Sequence, residues 1–272
     1  MSIDEHKTMA PDVAVEMASE GRSIVDAARM RGLTLRLLGG LAVRDHCEVL
    51  DFCGRDHSDL DMVGLRGEAT PVAELFAELG YAERREVREA TIMAQAQFAR
   101  RCIHALSDGR GPLHADDHVD VFFDVFRMDH VVDLRDRIAL EPYTVSPADL
   151  LLTKLQVVRA EPRDVRDMLT LLKDVPLADH GAPGAIDVAY IALLCARDWG
   201  LWHDVANNLR RCRAELDAYA LGGDDGDRVL VALTRLSDAI EAAPKTLAWR
   251  LRARVGTRVR WYAVVEEQGA EA

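Results

Sequence analysis

Aromatic residues are scarce in this chain, 6% of 272 positions, and cysteine is scarcer. The five cysteines, Cys47, Cys53, Cys102, Cys195 and Cys212, are odd in number and show no C-x-x-C spacing. That argues against a disulfide frame or a zinc site and predicts buried or free thiols in a reducing cytoplasm. No apolar run reaches the ~20 residues that cross a bilayer. The start, Met1 to His6, lacks the basic-then-apolar order of a secretory leader, so none is expected. No internal repeat is visible. Positive charge is also short: 34 Lys and Arg stand against 46 Asp and Glu, a net charge of −12. Such a surface repels polyanions on average, which excludes a general coat for nucleic acid while leaving room for a local basic site.

What is present is the composition of a soluble globular protein, long enough for one large domain or two small ones. Its most informative stretch is Arg55-Asp56-His57-Ser58-Asp59-Leu60-Asp61-Met62-Val63. Read as a strand, it puts Asp59 and Asp61 on one face, with Cα atoms roughly 6.6 Å apart, and turns Leu60 toward a core. Two carboxylates so placed suit a hard cation, although a solvated strand end gives the same pattern.

The rest of the chain supplies a context. Pro11 to Arg31 reads as a helix, weakened or broken at Gly21. Leu33 to Leu38 alternates as a strand and ends in Gly39-Gly40, after which a helix runs from Leu41 to about Glu48. A glycine pair there lets the backbone come close to a ligand such as phosphate. Thr70 and Pro71 read as the N-cap and first residue of a helix to about Leu79. Arginines 84, 85, 88, 100 and 101 read as a solvated face, and Phe98 to Leu106 as a strand.

His118 to Phe126 is the clearest strand, with Val119, Val121, Phe123 and Val125 on one face and Asp120, Phe122 and Asp124 on the other. An ionised acid in so apolar a strand costs several kcal/mol to bury without a partner. Asp120 or Asp124 is therefore a candidate third carboxylate. His114, Asp116, Asp117 and His118 read as loop residues solvated by water rather than as a metal cluster.

Ser146 and Pro147 start a helix that carries Lys154 inside an apolar run. Lysine is rarely buried alone, so Lys154 either snorkels outward or reaches a bound phosphate. Pro162 opens a further helix to about Asp174. The Pro- and Gly-rich stretch 176–184 reads as a boundary between a domain at 1–175 and a helical one at 185–266. Beyond it only helices are expected: 185–198, a turn at Trp199-Gly200, then 201–221, 228–242 and 244–266. The last carries the one basic stripe, Lys245, Arg250, Arg252, Arg254, Arg258 and Arg260, and the tail after Glu266 reads as disordered.

Leu38-Gly39-Gly40 at a strand end, Ser58-Asp59-Leu60-Asp61 and then Val119-Asp120-Val121 resemble, in order and spacing, the nucleotidyltransferase superfamily with its polymerase-beta-like fold. Arg55 before the acid pair, the helix bearing Lys154 and the Arg163-Asp164-Val165-Arg166-Asp167 helix are similar to the minimal, abortive-infection-toxin-type members. The chain departs from them in a longer gap between Gly40 and Asp59, and in a glycine at 40 where many relatives have serine.

The resemblance implies an α+β fold, a mixed sheet flanked by helices with a helical C-terminal part. It also implies transfer of a nucleoside monophosphate from a nucleoside triphosphate to a hydroxyl of a small molecule, a protein or a tRNA. Two Mg²⁺ ions would be held by Asp59, Asp61 and Asp120, with Asp124 as the alternative third acid. Gly39, Gly40, Arg55, Ser58 and Lys154 would bind the nucleotide. An antitoxin partner would follow from a toxin-like role, and the net charge disfavours an RNA acceptor. The competing reading is a nucleotide-binding or interaction module on the same fold without turnover.

Overall fold

The computed structural model describes residues 11–48, 52, 59–83, 95–100 and 118–263, and these form an α+β protein of two compact units. The first takes residues up to Val145 apart from 46–48 and 127–132; the second takes those two short segments and everything from Ser146. Along the chain, the second unit's long segment begins at Ser146.

In the first unit, α1 (Pro11–Met30) leads to β1 (Leu35–Leu37), α2 (Gly39–Asp45), β2 (Asp59–Gly64), α3 (Ala69–Glu78), β3 (Tyr81–Glu83), β4 (Gln95–Arg100) and β5 (His118–Phe123). The sheet runs β1-β2-β5-β4-β3, and β2 and β5 are its one parallel pair. Residues 143–145 cover the outer edge of β1: Leu37 donates to the Tyr143 carbonyl at 2.8 Å and accepts from Val145 at 3.0 Å.

Alternation decides which side of the sheet is dry. Leu60, Met62, Val119 and Phe98 turn to one face and are buried. Phe76 of α3 stacks on Phe98 with centroids 4.3 Å apart. From α1, Gly21 lies against Leu37 and Leu60; a Cβ there would sit 2.7 Å from Leu37 Cδ2. Gly21 thus does not break α1. It lets the helix approach the sheet, which offsets the ~1 kcal/mol that glycine costs inside a helix.

Three local expectations in this unit change. Helix α3 starts at Ala69 with Glu68 as N-cap, so Thr70 is inside the helix rather than capping it. The expected strand 98–106 is described only as Gln95–Arg100, and its later part lies outside the described residues. The expected strand 118–126 is broken: Asp124 has φ 66°, and β6 (Val125–Arg127) pairs instead with β7 (Val131–Asp133). The left-handed region is open to aspartate more than to most residues, so this chain can turn there.

The second unit is helical: α4 (Pro147–Leu155), α5 (Pro162–Asp174), α6 (Val188–Arg197), α7 (Trp199–Glu215), α8 (Asp225–Ala242) and α9 (Leu247–Val255). Ser146 caps α4 by accepting the Asp149 N–H, and α4 is buried nearly all round. Three corrections apply. Leu177–Ala178 and Ile186–Asp187 form a two-residue parallel ladder, β8 and β9, where only loop and helix were expected. Trp199-Gly200 is not a turn but the first residues of α7, because Asp198 caps it by accepting the N–H groups of Gly200 and Leu201. The last helix is also shorter than 244–266, and residues after 263 lie outside the described ones.

A buried polar seam holds this unit together. Asp204 Oδ2 lies 2.7 Å from His130 Nε2 and accepts from Trp261 Nε1 at 2.8 Å. Asn208 donates to the carbonyls of Leu155 and Val157, and Asp129 accepts the Val158 N–H at 2.8 Å. Each bond satisfies a group that burial would otherwise strand.

Cysteine chemistry departs from expectation. Cys195 and Cys212 are free and buried, as expected, but Cys47 is disulfide-bonded.

Candidate metal centre

The wet face of β2 and β5 gathers the acids. Because the strands pair in parallel, Asp59 lies beside His118 and Asp61 beside Asp120. Across β5, Gln97 of β4 is in register with Asp120, and its Nε2 donates to Asp120 Oδ1 at 3.0 Å. Asp120 Oδ2 is 3.3 Å from His118 Nε2. One donor atom each from Asp59, His118 and Asp120 fall within 4.8 Å of one another. Carboxylates gathered this closely repel, and a cation offsets that repulsion.

Asp61 is set by the turn after β1. Gly39, the first residue of α2, has φ 68°, and a Cβ on it would lie 2.0 Å from Asp61 Oδ2. Any side chain at 39 would therefore occupy the position of that carboxylate. The Leu38 N–H donates to the Asp61 carbonyl at 2.9 Å, fixing the turn against β2. Gly40 follows within α2.

These features fit a divalent ion. Adjacent donors on one octahedral ion with bonds of about 2.1 Å lie about 3.0 Å apart, and opposite ones about 4.2 Å apart. The observed spacings need only a small contraction. The donor set, Asp59, His118 and Asp120, is carboxylate-rich; Asp61 packs against Gly39 and is not one of the three.

Asp124, the alternative third acid, is elsewhere. Its carboxylate accepts the Arg66 N–H at 2.9 Å and sits 3.8 Å from Arg66 Nε, while its own N–H donates to Gly64. It is a turn residue, taken out of the β5 alternation by its φ. Arg55 and Ser58 lie outside the described residues, as do His114, Asp116 and Asp117.

Lys154, in the second unit, is paired with two carboxylates of its own chain. Its Nζ is 2.9 Å from Asp167 Oδ2 and 3.3 Å from Asp164 Oδ1. Asp164 also accepts the Glu161 N–H in a capping box that starts α5. The basic stripe of the last helix divides. Arg252 stacks over Trp199 and donates to the Gly256 and Val259 carbonyls, and Lys245 donates to Ile240, whereas Arg250, Arg254 and Arg258 are exposed.

The sequence reading set His118 aside as a solvated loop residue, whereas it opens β5 and joins Asp59 and Asp120, and Gln97 was passed over. His118 carried a signal that went unread: it stands two residues before Asp120, so in a strand it shares that face. Gln97 carried none, because only the β4–β5 register brings it there.

No protein-family model matches the chain, and no curated protein matches it by sequence. Solved structures similar to it include two of low identity. One is an antigenic nucleotidyltransferase-like protein from Paracoccidioides brasiliensis, 12% identical, TM-score 0.44, over 89% of this chain and 98% of that one. The other is the antibiotic-resistance factor ANT(2'')-Ia, 12% identical, TM-score 0.35, over 76% of this chain and 98% of that one. Likeness of that degree carries no argument for function, which rests on the site geometry alone.

Proposed function

We propose that this chain is a metal-dependent nucleotidyltransferase that moves a nucleoside monophosphate from a triphosphate to a hydroxyl acceptor. The observation that carries the reading is the juxtaposition on one sheet face of Asp59 and Asp61 from β2 with Asp120 from β5. Breaking an α–β phosphate bond shifts negative charge onto pyrophosphate. Two divalent ions roughly 3.5–4 Å apart can hold the attacking and leaving oxygens, and carboxylates suit Mg²⁺. Asp59 and Asp61 would hold the ions. Asp120, aimed by Gln97, would hold one of them and accept the proton of the acceptor hydroxyl. Gly39 and Gly40 would let phosphate oxygens approach backbone beside Asp61, with Arg55 and Ser58 on the segment leading into β2.

Lys154 has a narrower case as a phosphate counter-ion, since two carboxylates already balance its one charge. The acceptor belongs to a small molecule or protein before a tRNA, given the net charge of −12. The toxin-type subclass and its antitoxin rest on the sequence resemblance alone. Calorimetric titration with each nucleoside triphosphate in Mg²⁺ tests the reading. Binding that weakens when Asp59 and Asp61 become Asn supports it, and no binding of any triphosphate at millimolar concentration to folded protein removes it. Binding without any transfer of label to an acceptor in cell extract would leave the non-catalytic module.

A further inference from the structure

The carboxylates do not face the proposed ion alone. Strand pairing puts His118 beside Asp59, and alternation along β5 puts it on the face of Asp120. Its Nε2 lies 3.3 Å from Asp120 Oδ2, close to the spacing of adjacent donors on one ion. The Gln97 amide already occupies Asp120 Oδ1, so Oδ2, the oxygen nearest His118, is the one turned to a cation. The His118 side chain is 22% exposed, enough for an ion to reach the ring.

We infer that His118 Nε2 is a ligand of the ion held by Asp59 and Asp120, and that this position takes a first-row transition ion, with Mn²⁺ the probe, in preference to Mg²⁺. The inference rests on the proposed reading only in placing the ion between those two carboxylates. Its physical basis is ligand type. Mg²⁺ is hard, keeps its water and takes oxygen donors, whereas imidazole nitrogen suits the transition ions. An all-carboxylate site discriminates between the two ions weakly, and a nitrogen donor widens the gap. The competing account makes His118 a hydrogen-bond partner of Asp120 with no ion on it. Substitution would then change Mn²⁺ and Mg²⁺ binding alike.

The test uses the full chain without nucleotide. Parent and His118→Asn protein are titrated calorimetrically with MnCl₂ and with MgCl₂, and the Mn²⁺-loaded forms are examined by pulsed electron paramagnetic resonance for ¹⁴N modulation. The expected result is a loss of about tenfold or more in Mn²⁺ affinity with a much smaller change for Mg²⁺, and ¹⁴N modulation that is present in the parent and absent in the variant. Equal losses for both ions, modulation absent from the parent or retained in the variant, or no Mn²⁺ binding would each overturn it. Should the Asn variant not fold, His118→Gln is read in the same way. Parent protein labelled with ¹⁵N-histidine then reports imidazole ligation without any substitution. Nucleotide transfer intact with no nitrogen on the metal sinks this inference alone; nitrogen on the metal with no transfer sinks the proposed function alone.

Discussion

Gly39 shows how much one missing side chain can decide. Its φ of 68° disfavours any L-residue by about 1–2 kcal/mol, and Asp61 Oδ2 stands where a Cβ would go. Gly39→Ala should therefore destabilise the fold by about 2–4 kcal/mol in urea melts. In an Asp61→Gly background, which removes the clashing carboxylate, the same change should cost only the backbone part. Equal costs in both backgrounds would show that the two residues do not meet. Lys154 makes a different case. Removing one partner of a largely buried ion pair leaves charges uncompensated, so Lys154→Ala should cost about 2–4 kcal/mol. Neutralising Asp164 and Asp167 to Asn in the same protein should recover part of that loss. A variant as stable as the parent but unable to bind triphosphate would return Lys154 to the phosphate.

Cys195 and Cys212, free among the described residues, give a pH signature. Burial pushes the thiols of Cys195 and Cys212 up to about 12, from an ordinary value near 9. Folded protein at pH 8 should hold both as neutral thiols and resist maleimide, while denatured protein labels at both sites, as peptide mapping can show. Above about pH 9 the unfolded chain loses these protons and the folded chain keeps them, so stability should fall between pH 9 and 12. Fast labelling of Cys195 or Cys212 in the folded protein at pH 8 would contradict the burial.

At the scale of elements, the second unit depends on the seam around Asp204, which joins α7 to residues 130 and 261. Asp204→Ala would leave His130 Nε2 and Trp261 Nε1 without their shared acceptor. A loss of about 2–4 kcal/mol in urea melts is expected, with a change in Trp261 emission. No change in either would mean that the seam contributes nothing.

How far the elements were legible follows from the range of the forces that make them. Alternation is local, so β2 and the start of β5 could be read with Asp59, Asp61 and Asp120 already on their faces. The Ser146-Pro147 start of α4 was legible for the same reason. The break at Asp124 was not, because the turn depends on Gly64 and Arg66 from β2 and the residues after it. Nor was the partner of Lys154, since Asp164 and Asp167 meet it only when α4 and α5 pack. Asp198 as a cap was local and could have been read, because an Asp before a helical run is a common start signal.

At the scale of the whole molecule, the proposed function has an acidic chain gather Asp59, Asp61 and Asp120 on one face of β2 and β5, where metal would neutralise them. The most direct measurement incubates the protein with α-³²P-labelled nucleoside triphosphates, divalent metal and cell extract, then follows the label. Parent protein should release unlabelled pyrophosphate and move the α-label onto an acceptor. Asp59→Asn/Asp61→Asn, which keeps the size of both side chains, should lose that transfer by about a hundredfold or more while remaining folded. Transfer that survives the double substitution unchanged would contradict the account, as would a parent protein that leaves every labelled triphosphate intact in every metal tried.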